Sequence, residues 1–250
     1  MLRIITVAFL VILLIYLVRK SCKETFSSNN KLSVLILSYK RSHNLSKSIP
    51  ELLKFEEVDE IIVLHGSKEF KKDYNHPKVK NIDDWNDNDE MYTLRKFKNS
   101  NLCKNDMVLL LDDDLYPSKD LLNNMIKHFN NDKNNIYGPT KRLCKEKYTV
   151  NPANEYNYIL TNIILTSKNV VQNVFNKMKS NKKLYNLVVK QRGNCEDLLF
   201  NHEFMKLYKK TPSFVNGSVK NLDGSNGFST TKNNGHSDMR NNFCKLVNNM

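Results

Sequence analysis

Three runs of strand length are apolar almost without interruption: LSVLILSY within residues 31–39, EIIVLH at 60–65 and MVLLL at 107–111. A strand with one face in water alternates polar and apolar residues, so unbroken runs are expected where both faces of a sheet are covered. Residues 44–55 have helical composition after the first run, residues 91–99 lead helically into the third, and residues 118–129 follow it with Ser118 as cap. This alternation predicts an α/β fold, an open, mainly parallel Rossmann-type sheet flanked by helices, with ligands beyond the carboxyl ends of its strands.

The second half is more mixed. Residues 156–166 have strand composition, 168–179 look helical, and 195–208 (CEDLLFNHEFMKLY) read as an amphipathic helix. Turns are expected over 216–227 and a last helix over 236–247. At the other end, Ile4 to Val18 is apolar but for Thr6, and Arg19, Lys20 and Lys23 follow directly. No small residues mark a cleavage site, so residues 1–20 are expected to remain as a single transmembrane signal-anchor, 21–30 to form a short stem and 31–250 to form one domain. Arg3 and the amino terminus nearly balance the basic residues on the far side, so charge alone does not choose an orientation.

Lysine and arginine outnumber acids by 39 to 26, which favours anionic partners. The basic residues are dispersed and no nucleic-acid module is present, so nucleotide diphosphates and anionic membrane surfaces are expected rather than nucleic acid. The five cysteines, Cys22, Cys103, Cys144, Cys195 and Cys244, allow one or two disulfides and leave at least one thiol. Cys22, beside the expected anchor, is a candidate for acylation.

The strongest local signal is LLLDDDLYPS, in which Asp112, Asp113 and Asp114 leave a buried strand. Adjacent carboxylates repel unless cations compensate, and a hard divalent ion binds carboxylate and phosphate oxygens together. The plainer alternative is a solvated turn that caps the next helix. Glu196 and Asp197 open a helical stretch, where acids also simply favour the helix dipole. Tyr39 and Arg41, after the first strand, suit a base and a phosphate, or merely decorate a turn.

Taken in order, LSVLILSYKR, EIIVLHGS, the Arg95 segment, VLLLDDDLYPSKDLL, YNYILTNIILTS, GNCEDLLFNHEF and MRNNFCKLVN resemble glycosyltransferase family 64, the exostosin-like enzymes of GT-A fold, over residues 31–250. The resemblance implies transfer of a sugar, such as an N-acetylhexosamine, from a UDP-sugar donor to a glycan or glycoconjugate acceptor, with retention and with Mn2+ or Mg2+. By the same resemblance Tyr39, Arg41 and Arg95 would hold the nucleotide, Asp112 and Asp113 would lie near ribose and diphosphate, and Asp114 would be the principal metal ligand. Glu196 and Asp197 match an acidic pair beside sugar and acceptor, and Arg240 matches a functional arginine. A Cys195–Cys244 disulfide is implied, and with it an oxidising endoplasmic reticulum or Golgi lumen. There the sequons at Asn44 and Asn216 would be exposed. Two positions depart from the pattern: His65-Gly66-Ser67 stands where asparagine is usual, and Glu90 where an amide is expected. These departures keep open an inactive, membrane-anchored carbohydrate- or nucleotide-binding protein of the same fold. Nucleotidyl transfer is a third reading, disfavoured because no glycine-rich phosphate loop is evident.

Overall fold

Strand β1 (Leu32–Ser38) is buried along all seven residues, as its unbroken apolar run requires. In the computed structural model, which describes residues 31–222 and 235–249, it leads through a 3-10 turn into α1 (Leu45–Leu53), β2 (Val58–His65) and β3 (Val79–Asp83). A broken helical segment, α2 (Trp85–Met91) and α3 (Arg95–Lys98), precedes β4 (Met107–Asp112), β5 (Leu115–Pro117) and α4 (Lys119–Asn131). Next come β6 (Tyr137–Gly138), β7 (Lys141–Cys144), β8 (Tyr148–Val150), β9 (Tyr158–Ile159) and β10 (Ile163–Ser167). Helices α5 (Lys168–Ser180), α6 (Lys182–Lys190) and α7 (Glu196–Tyr208) follow, then β11 (Ser213–Phe214), β12 (Val219–Asn221) and α8 (His236–Asn248). The expected anchor and stem lie outside the described residues, and among those described no helix is long and apolar enough to cross a membrane.

The main sheet has the order β11-β6-β10-β4-β1-β2-β3. Strands β4, β1, β2 and β3 are parallel, and β10 is antiparallel to β4 and β6. Alternate residues face opposite sides, which gives two cores. Leu35, Leu37, Ile62, Leu64, Val108 and Leu110 pack with residues of α5 and α7. Val34, Ile36, Ile61, Val63, Leu109 and Leu111 pack with residues of α1 and α4. Strand order reverses between β1 and β4, where Leu37 pairs with Asp112. That reversal opens a crevice at the carboxyl ends of the two strands.

Three expectations are corrected. Residues 156–166 hold two strands, because a turn at residues 160–162 divides them: β9 joins a small β8-β7-β9 sheet, and β10 joins the main one. The helix expected over 91–99 is interrupted at Tyr92, which adopts a φ of +51°; the break lets both Arg95 and Lys96 turn inward, each at most 2% exposed. Helix α7 is not amphipathic. Asp197, Leu198, Leu199, Phe200, Asn201, Glu203 and Phe204 are all buried, because sheet, α5 and α8 surround it.

Ser118 caps α4 as expected, accepting a hydrogen bond from the Leu121 amide at 3.2 Å. The sheet should dominate stability over such caps. Leu110→Ala, at a fully buried position, is expected to cost about 2–5 kcal/mol, and Ser118→Ala about 1 kcal/mol. Urea unfolding midpoints at constant slope provide the measurement.

Candidate active site

Asp112, Asp113 and Asp114 emerge at the reversal between β1 and β4, and each has a cation beside it. Arg41, on the turn after β1, places Nη2 2.7 Å from Asp113 Oδ1 and Nη1 against Asp114 Oδ2. The Tyr39 amide donates to Asp113 Oδ2 at 3.2 Å. Asp113 is 3% exposed, and burial pushes its carboxyl up to about 6, even against the pull of Arg41 and the Tyr39 amide. Asp114 has 30% of its side chain exposed and Asp112 31%, so both reach the cleft while Asp113 does not.

Lys96, which the sequence reading did not single out, occupies the centre of the cleft floor. Its Nζ donates to the Thr161 carbonyl at 3.0 Å and lies 3.5 Å from both Asp112 Oδ1 and Glu196 Oε1. Burial would lower its pKa, but Asp112, Glu196 and Asp197 outweigh burial and raise it. Packing makes this meeting possible: Phe97 and Phe200 stack at 4.2 Å and lock α3 onto α7, so Lys96 meets the first turn of α7. A sequence signal did exist, in a lysine beside Arg95 among apolar neighbours, but one cation cannot be told from the next without the kink at Tyr92.

Arg95, which the resemblance assigns to the nucleotide, lies beneath the cleft surface. It is 2% exposed, with Nη1 on Asp84 at 2.8 Å and the Leu64 carbonyl at 3.1 Å, and Nη2 on the Ser38 carbonyl at 3.2 Å. It braces the ends of β1 and β2 beneath the cleft. Gly66 makes room for it, since a Cβ there would lie 2.6 Å from Arg95 Nη2 and 2.9 Å from Asn88 Oδ1. An amide thus does stand at the end of β2, but it comes from Asn88 on α2; His65 turns to Asn81 at 3.2 Å, and Glu90 is exposed.

Opposite the triple aspartate, Gly193 (φ +80°) and Cys195 (φ +71°) turn the chain sharply into α7. Its first two residues are the acidic pair. Arg240 from α8 grips Asp197 with two bonds of 2.8 and 2.9 Å. Arg240 also donates to the Tyr148 hydroxyl at 3.0 Å and lies 4.8 Å above that ring, while Arg142 Nε donates to the same hydroxyl at 2.7 Å. The two acids therefore diverge. Burial pushes Glu196 up to about 7, reinforced by the neighbouring Asp197 charge and partly offset by Lys96 and Arg240. Burial also acts on Asp197, but Arg240 overrides it and holds that carboxyl below its ordinary value. Such a split gives one carboxyl able to carry a proton near neutrality and one that stays ionised.

The expected Cys195–Cys244 disulfide is replaced by Cys144–Cys244, with Cα atoms 5.1 Å apart. Strand β7 delivers Cys144 to α8, and Asn241 of α8 accepts from the Tyr148 amide at 2.9 Å. Cys195 stays a buried thiol in the bend before α7, its pKa raised by burial. The disulfide still serves the purpose expected of it, fixing α8 one turn beyond Arg240.

Fold and site define a mixed α/β domain with a charged cleft at the carboxyl edge of a mainly parallel sheet. The 2-C-methyl-D-erythritol 4-phosphate cytidylyltransferase (IspD) of Francisella tularensis shares this fold, with a TM-score of 0.54 at 14% identity over 87% of this chain and 99% of that chain. No relative is found among curated proteins. Residues 32–250 match the Glycosyl transferase family 64 domain, and the chain belongs to that family of glycosyltransferases.

Because Glu196 is raised from 4.5 to about 7, the folded protein retains a proton that the unfolded chain loses. Stability should therefore fall as pH rises between about 4.5 and 7, by up to about 3 kcal/mol from this group. The depressed Asp197 works in the opposite sense, with its contribution lost as pH falls below about 4. Glu196→Gln is expected to flatten the fall between pH 5 and 7.5, as read from chemical denaturation at stepped pH.

Proposed function

We propose that this glycosyltransferase moves a sugar, with an N-acetylhexosamine as the leading candidate, from a UDP-sugar to a hydroxyl of a glycan or glycoconjugate, with retention and with Mn2+ or Mg2+. The observation that carries this reading is the convergence, at one strand reversal, of Asp112, Asp113, Asp114 and Arg41 with Lys96, Glu196, Asp197 and Arg240. One side of the cleft suits a diphosphate and the other a sugar and its acceptor.

The donor set fits a hard cation. All three aspartates offer oxygen, and Asp112 Oδ1 is buried without a hydrogen bond. Among the described residues no group of three or more His, Cys, Asp or Glu side chains is gathered around a metal position, so Asp114 would hold the ion together with diphosphate oxygens, as nucleotide-bound cations commonly are held. When bound, a divalent cation offsets the charge that develops on the departing diphosphate. Arg41 takes a phosphate oxygen, Tyr39 lies along the nucleoside, and Arg95 keeps the β1 and β2 ends in place beneath it.

Lys96 adds a fixed positive charge between diphosphate and sugar, where it needs no reorganisation during reaction. Asp197, kept ionised by Arg240, faces the positive charge that builds on the sugar ring and orients the acceptor. In a front-face reaction the acceptor proton passes to the leaving diphosphate oxygen as the new glycosidic bond forms on the side the diphosphate leaves. Glu196, holding its proton near neutrality, donates a hydrogen bond to a substrate hydroxyl without adding a second negative charge. The likeness to a cytidylyltransferase extends to the fold alone.

An N-terminal anchor and a lumenal domain in the endoplasmic reticulum or Golgi complete the proposal, supported by the Cys144–Cys244 disulfide and the oxidising conditions such bonds need. The loop it closes spans 100 residues, worth roughly 4–5 kcal/mol in the chain-entropy account. Asn44 is fully buried, whereas Asn216 is exposed. Of the two sequons, only the second can carry a glycan in this fold.

Two measurements test this. Calorimetry of the full-length protein with UDP and Mn2+ should show Asp114→Ala losing most metal-dependent affinity, while Asp197→Asn keeps UDP affinity within about threefold and loses 100-fold or more in turnover. Equal losses of UDP affinity in both variants would defeat the division of roles. Peptide mapping of protein from its native host, without reduction, should find Cys144 joined to Cys244 and a glycan on Asn216 alone; free Cys144 and Cys244 with no glycan would contradict a lumenal domain.

A further inference from the structure

Asp114 is partly exposed, yet its carboxylate is already engaged. Arg41 holds it with Nη1 while Nη2 holds Asp113 at 2.7 Å. The two acids are not bound alike. Asp113 is almost fully buried and has the Tyr39 amide as a second partner, whereas Arg41 is the one side-chain partner of Asp114 among the described residues. Only the Asp114 end of this fork can therefore open without stranding a buried charge.

We propose that Arg41 is an internal counter-ion to Asp114, released only when the diphosphate arrives, so that the metal ligand becomes available to a divalent cation together with the nucleotide and not before it. This rests on the UDP and metal reading above. A guanidinium presents its donors in a rigid fork, so the N–H directed at Asp114 serves a phosphate oxygen only after that pair has opened. The charges lead to the same conclusion. Three aspartates face Arg41 and Lys96, one net negative charge. A divalent cation added to that set would make it net positive, with a guanidinium beside the ion. A nucleotide diphosphate brings its own negative charge and draws Arg41 away, leaving Asp114 free for the cation. The two ligands then favour each other's binding by equal factors, as linkage requires.

Mn2+ binding to the full-length protein, followed by calorimetry and by the Mn2+ paramagnetic resonance signal without any sugar transfer, provides the test. Without UDP the wild type is expected to bind Mn2+ weakly. Arg41→Gln should raise that UDP-free affinity by about tenfold or more, within the usual range of coupling between sites. Arg41→Lys should raise it too, since an ammonium reaches one carboxylate at a time. Lys40→Gln makes the same change in charge one residue away and should leave Mn2+ affinity unchanged. UDP-dependent Mn2+ uptake by the wild type, with no rise in UDP-free affinity in either Arg41 variant, overturns the counter-ion role and leaves the functional reading standing. An equal rise in Lys40→Gln overturns it as well, by reducing the effect to the general field. Absence of Mn2+ uptake with or without UDP in all of these proteins sinks both.

Discussion

Carboxylates and cations buried together at the carboxyl edge of the sheet impose the constraint that the rest of the molecule satisfies. Asp113, Asp197, Arg95, Lys96 and Arg240 are each less than 7% exposed. An isolated buried charge is costly, and breaking a buried pair by removing one partner costs about 3–5 kcal/mol. Every one of these groups therefore needs a partner at close range, and apart from Asp84, 11 residues before Arg95, the carboxylate and cation partners come from parts of the chain far apart in sequence. Arg41 reaches across 73 residues to Asp114, Lys96 across 100 to Glu196, and Arg240 across 43 to Asp197.

Apolar packing sets up those pairings. The sheet is covered on both faces, so its strands are held in register and deliver Asp112 and Ser38 to one edge. The Phe97–Phe200 stack brings Lys96 to α7, and the Cys144–Cys244 bond brings Arg240 to Tyr148 and Asp197. The apolar contacts are non-directional and strong in sum, while the ion pairs add little net stability and determine which groups sit where. This division suits a binding cleft, because the pairs can be exchanged for ligand without disturbing the core.

The cleft also shows how an altered motif can be accommodated by its neighbours. A glycine at the end of β2 leaves out a side chain there, and the volume a Cβ would fill is taken by Asn88 and the Arg95 guanidinium. His65 is absorbed into the pairing with β3 through Asn81. The cleft keeps a polar lining at this point, although the residues supplying it stand at different positions in the sequence.

The nature of the central strands was determined by the sequence alone, because an apolar run at both parities suits a doubly covered sheet, while their order across the sheet was decided by the fold. The same is true of Ser118 as a cap and of three acids at a strand end. Asp197 and Arg240 were legible as separate candidates through resemblance. Their union, the pairing of Cys144 rather than Cys195 with Cys244, and the choice of Lys96 over Arg95 as the cation facing the acids were decided only in three dimensions. The physical reason is common to all three. Each depends on the direction in which a side chain leaves the backbone after a bend, at Tyr92 and at Cys195, and on which distant segment the packing has placed opposite. Local composition carries the first of these faintly and the second not at all.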